Sequence, residues 1–280
     1  MKCAWQAFIN LLPVWMRENV DKQGKETLQE LRLRINKPPE LILCNGTVLL
    51  DRIVSIEDLR FCINIASRYS PWTASTASCG YITAPGGHRI GLCGKAVTTD
   101  GNISGINELH SLCIRVARDI SGIASKAVSE IGSTLIIGRP GSGKTTLLRD
   151  LIRLCSESSC VAVVDEREEI FPFAHNQPCF QLGRHTDILS GCSKAKGIDI
   201  VLRNMSPDII AVDEITAQED CEALLHAGWC GVKLLATAHA GSRDDLYHRP
   251  IYRPIIESGI FDSLLILEKD KSWHMERFYS

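Results

Sequence analysis

The sequence is marked first by what it lacks. In 280 residues no apolar run approaches the ~18 residues needed to cross a bilayer. Any work at a membrane is therefore expected from a peripheral subunit. The opening "MKCAWQAFINLLPVWMRENV" has only a short apolar stretch, broken by Pro13 and without a cleavage-like site, so no secretory signal is expected. The 12 cysteines include no C-x-x-C pair, and none stands at zinc-finger spacing from a histidine. That pattern points to free thiols in a reducing cytoplasm, not to a disulfide framework. Neither charge dominates: the net charge is -2 and the pI is near 6.4. That balance argues against a chain built mainly to coat nucleic acid. No basic stripe is interleaved with aromatics, since "LRLRINK" is basic but reads as a sheet edge. Internal repeats and low-complexity tracts are absent too.

What is present is an ordinary globular mixture, with 45% hydrophobic and 23% charged residues. The length allows two domains. Residues 1–125 read as a mixed α+β domain. A helix over 5–20 is interrupted by Pro13, and "LQELRLRI" alternates as a strand until Pro38-Pro39. "ELILCNGTVLL" carries Asn45-Gly46 between apolar runs, a hairpin signal. "SIEDLRFCINIASRYS" starts at Ser55 with acids in its first turn and keeps helical periodicity. "GYITAPGGHRIGLCGKAV" reads as a second hairpin turning at Pro85-Gly86-Gly87, and "LCIRVAR" as a short strand. Residues 119–132 are expected to be a helix and connection.

After residue 132 the pattern becomes strands alternating with helices, the signature of a parallel α/β sheet. The expected strands are 133–138, 161–166, 208–214, 233–238 and 263–268. Their Val, Ile and Leu content suits strands buried on both faces.

Four motifs fall at or beside the ends of these strands. Gly138-Arg139-Pro140-Gly141-Ser142-Gly143-Lys144-Thr145 fits the phosphate-loop pattern, between an apolar strand and the helical "TTLLRDLIRLCS" that begins with Thr145-Thr146. Its glycines let backbone N–H groups curl toward phosphates, and the helix N-terminus adds its positive end. Lys144 would reach the β/γ-phosphates and the Thr145 hydroxyl would bind Mg²⁺. "SPDIIAVDEIT" places Asp213 to hold Mg²⁺ and Glu214 to polarise water. "VAVVDEREEI" offers Asp165 and Glu166 as competitors for the catalytic role, with Glu168 and Glu169 as solvated acids. "LLATAHA" puts Thr237 and His239 on the same sheet edge, where they could sense a γ-phosphate. Ligands of α/β sheets bind beyond the carboxyl ends of strands, so these motifs should converge. The fold class that follows is a RecA-like P-loop NTPase domain over 126–280 behind a smaller α+β domain over 1–125.

These residues resemble those of the secretion-type ATPases of type II and type IV secretion and of pilus dynamics. A closer resemblance is to the stage III sporulation protein AA family, carried by "GGHRIGLCGKAV", "IRVAR", "GRPGSGKTTLLRDLIR", "VVDEREEI", "RNMSPDIIAVDEIT" and "GVKLLATAHA". It covers nearly the whole chain. The resemblance implies an ATPase using Mg²⁺-ATP in the mother cell of endospore-forming bacteria. It implies a homohexameric ring, peripheral on the cytoplasmic face of a membrane and docked to membrane subunits of a mother cell–forespore channel. The acid pair here is Asp-Glu, where secretion ATPases commonly have Gly-Glu.

A ring would let a neighbour's arginine reach the nucleotide. Candidates are Arg89, Arg115, Arg118 and Arg184, while Arg203 could anchor to phosphate or cap its helix. Three other functions fit less well. A nucleic-acid motor or loader would want a basic, aromatic stripe. A nucleotide-held scaffold would not need Lys144, Thr145, Asp213 and Glu214 together. A small-molecule kinase would want an arginine-rich lid. No N-K-x-D motif for guanine occurs, which favours ATP.

Overall fold

The structure is a computed structural model, and it describes residues 1–67, 80–99, 102–127, 131–174, 177–268 and 270–278. Two compact units emerge: Met1–Asp119 with Pro172–Phe180, and Ile120–Phe171 with Gln181–Ser280. This division differs from a single cut after residue 125. The second unit already begins at Ile120, and a nine-residue excursion joins the first. Within that first unit the excursion forms a short antiparallel pair, β9 (Phe173–Ala174) and β10 (Gln177–Pro178). Gly87 shows how closely it packs: a Cβ there would meet the Pro172 ring at 2.9 Å.

The first unit is built on an antiparallel sheet. Its strands are β1 (Leu28–Arg34), β2 (Glu40–Leu43), β3 (Gly46–Leu49), β4 (Tyr81–Ala84), β5 (His88–Thr99) and β6 (Asn102–Arg115), in the order β3-β2-β1-β6-β5-β4. Both expected hairpins form, at Cys44-Asn45 and at residues 85–87. Pro13 divides the first helical stretch into Trp5–Asn10 and Val14–Asp21. Ser55 opens the helix Ile56–Ser67 with a capping box, its hydroxyl accepting from Asp58 N while Ser55 N donates to Asp58 Oδ2. The expected tail of this helix at 68–70, and residues 128–130 of the expected 119–132 helix, lie outside the described residues. Phe8, Leu12, Met16, Leu31, Leu33, Ile90 and Ile114 fill the core.

His88 lies in that core with 0% exposure. Ala117 N donates to its Nδ1 at 3.1 Å, so its Nε2–H must donate to Ala4 O at 3.1 Å. Burial pushes its pKa down to about 4, so the ring is neutral.

The second unit holds the α/β sheet. Its strands are β7 (Thr134–Gly138), β8 (Val161–Asp165), β11 (Thr186–Ser190), β12 (Ile209–Val212), β13 (Lys233–His239), β14 (Ser263–Leu267) and β15 (Trp273–Arg277). They lie in the order β11-β8-β12-β13-β7-β14-β15, all parallel except β15. The five expected strands are all here. β7, β8, β12 and β14 are buried at every residue, as their apolar runs require. The edge strands β11 and β15 hold only half-buried and exposed residues, so neither shows a long apolar run in the sequence. The helix that ends near Arg203 is Lys194–Asn204. It presses against β8 at Gly197, where a Cβ would meet Val164 Cγ1 at 2.3 Å.

Candidate functional site

Strand order sets the site. β13 lies between β7, which leads into the glycine loop, and β12, which leads into Asp213-Glu214. In register, His239 pairs with Gly138 and Ala236 with Val212. The carboxyl end of β13 thus places Thr237 and His239 between the loop lysine and the acid pair.

The loop itself needs its glycines. Gly141 and Gly143 have φ of 75° and 105°, in the left-handed region. Gly138 leaves no room for a side chain, since a Cβ would meet Ser142 Oγ at 2.5 Å. Gly143 caps the helix Lys144–Cys155. Arg139, Pro140 and Gly141 are exposed, and Thr146 is half-buried on the helix.

Lys144 is buried, and its ammonium has three donors and no acceptor. They are taken by Gly138 O at 3.0 Å, Arg139 O at 3.2 Å and His239 Nδ1 at 3.0 Å. Because Nδ1 accepts, the neutral ring carries its proton on Nε2, which lies 2.8 Å from Glu214 Oε1. A continuous chain of donors therefore runs from Lys144 through His239 to Glu214. Burial lowers the pKa of Lys144, opposed by the charges of Asp213 and Glu214.

Asp213 is held from two sides. Thr145 Oγ1 donates to Oδ2 at 2.6 Å and Thr237 Oγ1 to Oδ1 at 2.5 Å. The same Thr237 oxygen accepts from Glu214 N at 2.7 Å. Glu214 has φ of 55°, an uncommon conformation for a residue with a side chain and one that recurs at functional sites. Thr237, expected beside a γ-phosphate, is spent on orienting both acids.

Asp165 and Glu166 separate into different tasks. Asp165 is 2% exposed and accepts from the backbone of Glu169, Ile170 and Phe171, each at 2.9 Å. It shapes the loop rather than facing solvent. Burial raises its pKa to about 7, against the pull of those N–H groups. Glu166 Oε2 lies 2.5 Å from Lys194 Nζ. Glu168 is half-buried at φ 54°, with a pKa raised by burial, so it is less solvated than expected. A cavity of about 20 Å³, lined in part by Glu166, Arg167, Lys194, Asp213 and Glu214, is large enough for one water.

Arg167, inside the acidic motif, and Lys194, in no motif, are not among the residues singled out from sequence. Arg167 sits 3.9 Å from Glu214 Oε2. The arginines singled out from sequence are differently placed. Arg89 stacks 4.0 Å over the Tyr81 ring, Arg115 pairs with Glu30, and Arg118 donates to Lys25 O and Leu28 O. Arg203 pairs with Asp199 one helical turn away, and Arg184 is exposed.

These residues suit a nucleoside polyphosphate with a divalent cation. Ser142 Oγ is buried without a hydrogen-bond partner among the described residues, beside a loop of inward-curling backbone. Thr145 Oγ1 and Asp213 Oδ2 are adjacent hard oxygens, suited to Mg²⁺. No cluster of three His, Cys, Asp or Glu able to hold a metal occurs among the described residues, so phosphate oxygens and waters would have to complete the coordination. A cleft of roughly 400 Å³ opens beside the loop at Arg139, Ser142, Gly241 and Leu267.

Comparison with known proteins follows the same lines. The family described as "Sporulation stage III, protein AA" matches residues 6–277. The chain is 39% identical over 256 residues to stage III sporulation protein AA of Bacillus subtilis, covering 87% of this chain and 83% of that one. Among solved structures, the Yersinia pseudotuberculosis ATPase DotB aligns with a TM-score of 0.61 at 15% identity, over 95% of this chain and 79% of that one. The pilus retraction motor PilT with bound ADP aligns with a TM-score of 0.58 at 13% identity, over 89% and 76%. At such identities these two likenesses establish the P-loop α/β fold and nothing more.

Proposed function

The chain belongs to the sporulation stage III protein AA family, and we propose that it is an ATP-hydrolysing motor. The observation that carries this reading is the donor chain Lys144–His239–Glu214, set beside the Thr145–Asp213 oxygen pair. A protein that only held nucleotide as a brace would not need a phosphate-directed lysine wired to a carboxylate.

In the proposed reaction the glycine loop and Lys144 bind the β- and γ-phosphates of ATP, and Thr145 and Asp213 hold Mg²⁺. Bound there, Mg²⁺ would supply charge neutralisation to the phosphates. A water oxygen bonds to the γ-phosphorus as the bond from phosphorus to the bridging oxygen breaks. The electron pair leaves on ADP, and the water's proton passes to the Glu214 carboxylate. His239, donating from Nε2, keeps that carboxylate turned toward the reaction, and Thr237 fixes both Asp213 and the Glu214 backbone. ATP is preferred to GTP in this reading because no guanine-recognition motif is present.

We propose further that the chain acts as a homo-oligomer, a hexamer, with residues 1–125 making ring and partner contacts. It would work peripherally at the cytoplasmic face of the membrane, on the mother-cell side of the forespore envelope, docked to membrane subunits of the stage III channel complex. No helix among the described residues is long and apolar enough to cross a membrane. Direct nucleic-acid binding is not part of this reading. The test is Mg²⁺-dependent phosphate release from ATP by the full chain, abolished in Lys144→Ala. Absence of hydrolysis by the assembled protein with its membrane partner would overturn it.

A further inference from the structure

Lys194 stands where a lysine is costly. It is the first residue of the helix Lys194–Asn204, at the positive end of the helix dipole, and no acid occupies that first turn. It is also 5% exposed. Burying an ammonium is unfavourable unless its partners are well placed. Its partners come from two other elements. Glu166, at the end of β8, lies 2.5 Å away, and Asp220 lies 3.7 Å away. Asp220 is itself fixed, accepting from Thr216 N and Ala217 N at 3.1 Å. Those two residues follow Asp213-Glu214 almost directly. Lys194 therefore ties the loop after β8 to the segment after β12.

The tie borders the water-sized cavity. Glu166 and Lys194 line it together with Asp213, Glu214 and Thr216. Several carboxylates crowd this space, and like charges at such range repel one another. Lys194 is a buried cation among them. Arg167, the other cation on the cavity wall, is more than half exposed.

We propose that Lys194 is a positioning residue for ATP hydrolysis, holding Glu166 on the wall of the water cavity so that Glu166 orients the water while Glu214 takes its proton. The assignment separates two acids that the sequence left in competition. Glu166 is committed to an ammonium through Oε2. Glu214 instead accepts from His239 through Oε1, and its nearest ion-pair cation, the half-exposed Arg167, stands farther off at 3.9 Å. The proposal rests on the ATPase reading above, but it concerns only how the cavity is held. Lys194 is not part of the glycine loop, and its ion pairs go to Glu166 and Asp220, not to Lys144, Thr145 or His239.

The test compares wild type, Lys194→Met, Lys194→Arg, Glu166→Gln and the Lys194→Met/Glu166→Gln double variant. ATP turnover and nucleotide affinity are measured on the full chain, with melting temperature as the folding check. Lys194→Met keeps the aliphatic stem and removes the charge. Its kcat should fall at least tenfold while KM for ATP stays within about threefold, because phosphate binding is untouched. Lys194→Arg should recover part of the loss. Adding Glu166→Gln to Lys194→Met should cost little more, since both changes break one unit. Wild-type kcat in Lys194→Met, a loss expressed only in KM, or fully additive effects would overturn the proposal while the ATPase reading stands. If Lys194→Met does not fold, Lys194→Arg decides the matter alone: a folded variant with intact Glu166 dependence supports it, and one whose turnover ignores Glu166→Gln overturns it. Wild type without hydrolysis would instead strike the ATPase reading itself.

Discussion

Lys144 Nζ lies 3.0 Å from His239 Nδ1, and only the lysine can donate in that contact. The imidazole is thereby set as the tautomer that donates from Nε2 to Glu214 at 2.8 Å. One strand, β13, supplies the link because it runs between the strands that carry the lysine and the acid.

His239 variants test that link. Glutamine can accept from Lys144 and donate to Glu214, reproducing the neutral ring, whereas alanine can do neither. His239→Ala should lose about 10- to 100-fold in kcat, the scale of a lost hydrogen-bond partner that orients a functional side chain from behind. His239→Gln should retain clearly more, with ATP affinity within a few-fold in both. Equal turnover in the two variants would remove the tautomer from the account.

Thr237 carries two bonds with one hydroxyl, donating to Asp213 and accepting from Glu214 N. Thr237→Val keeps the shape and deletes both. Turnover should drop about tenfold or more, and the Mg²⁺ concentration for half-maximal activity should rise because Asp213 loses a fixed orientation. Thr237→Ser should restore both. A Mg²⁺ titration of the three proteins reads the difference directly.

Gly197 tests the packing of the Lys194 helix. A Cβ there would stand 2.3 Å from Val164 Cγ1 and 3.1 Å from Cys192 Sγ, at the centre of a helix–strand contact. Gly197→Ala should destabilise the second unit by about 1–3 kcal/mol through overpacking, despite the helix-propensity gain of alanine. Denaturant unfolding measures it, and an alanine variant as stable as wild type would contradict this contact.

His88 predicts a pH dependence in the first unit. Its folded pKa, about 4, lies below the ordinary 6.5, so the unfolded chain binds the proton more readily. The stability this group contributes is present above about 6.5 and lost as pH falls through about 4. Wild type should therefore lose more melting temperature between pH 7 and pH 4 than His88→Gln does. Parallel losses in the two proteins would show that the buried ring is not the titrating group.

The sequence carried much of this site because its chemistry sits at strand ends, and buried parallel strands announce themselves as apolar runs. β7, β8, β12, β13 and β14 were legible for that reason, and the glycine loop, Asp213-Glu214, Glu166 and His239 were legible with them. The edge strands β11 and β15 were not, since none of their residues is fully buried and no long apolar run forms. Lys194 and Arg167 were hidden for a different reason. Each acts through a partner distant in sequence, such as Glu166 at 28 residues' separation from Lys194, and no local pattern encodes such a pairing. The excursion 172–180 into the first unit is likewise a tertiary fact: "PFAHNQPCF" has no composition that assigns it to one unit or the other.

The most direct measurement is phosphate release by wild type, Glu214→Gln and Glu166→Gln, with ATP binding and oligomeric mass followed in the same samples. Wild type should hydrolyse ATP with a rate that rises on assembly. Glu214→Gln should bind ATP and lose about 100-fold or more in turnover, the scale of a lost general base, with a smaller loss in Glu166→Gln. Turnover unchanged in Glu214→Gln, or ATP bound by an assembled wild type that never hydrolyses it, would contradict the account.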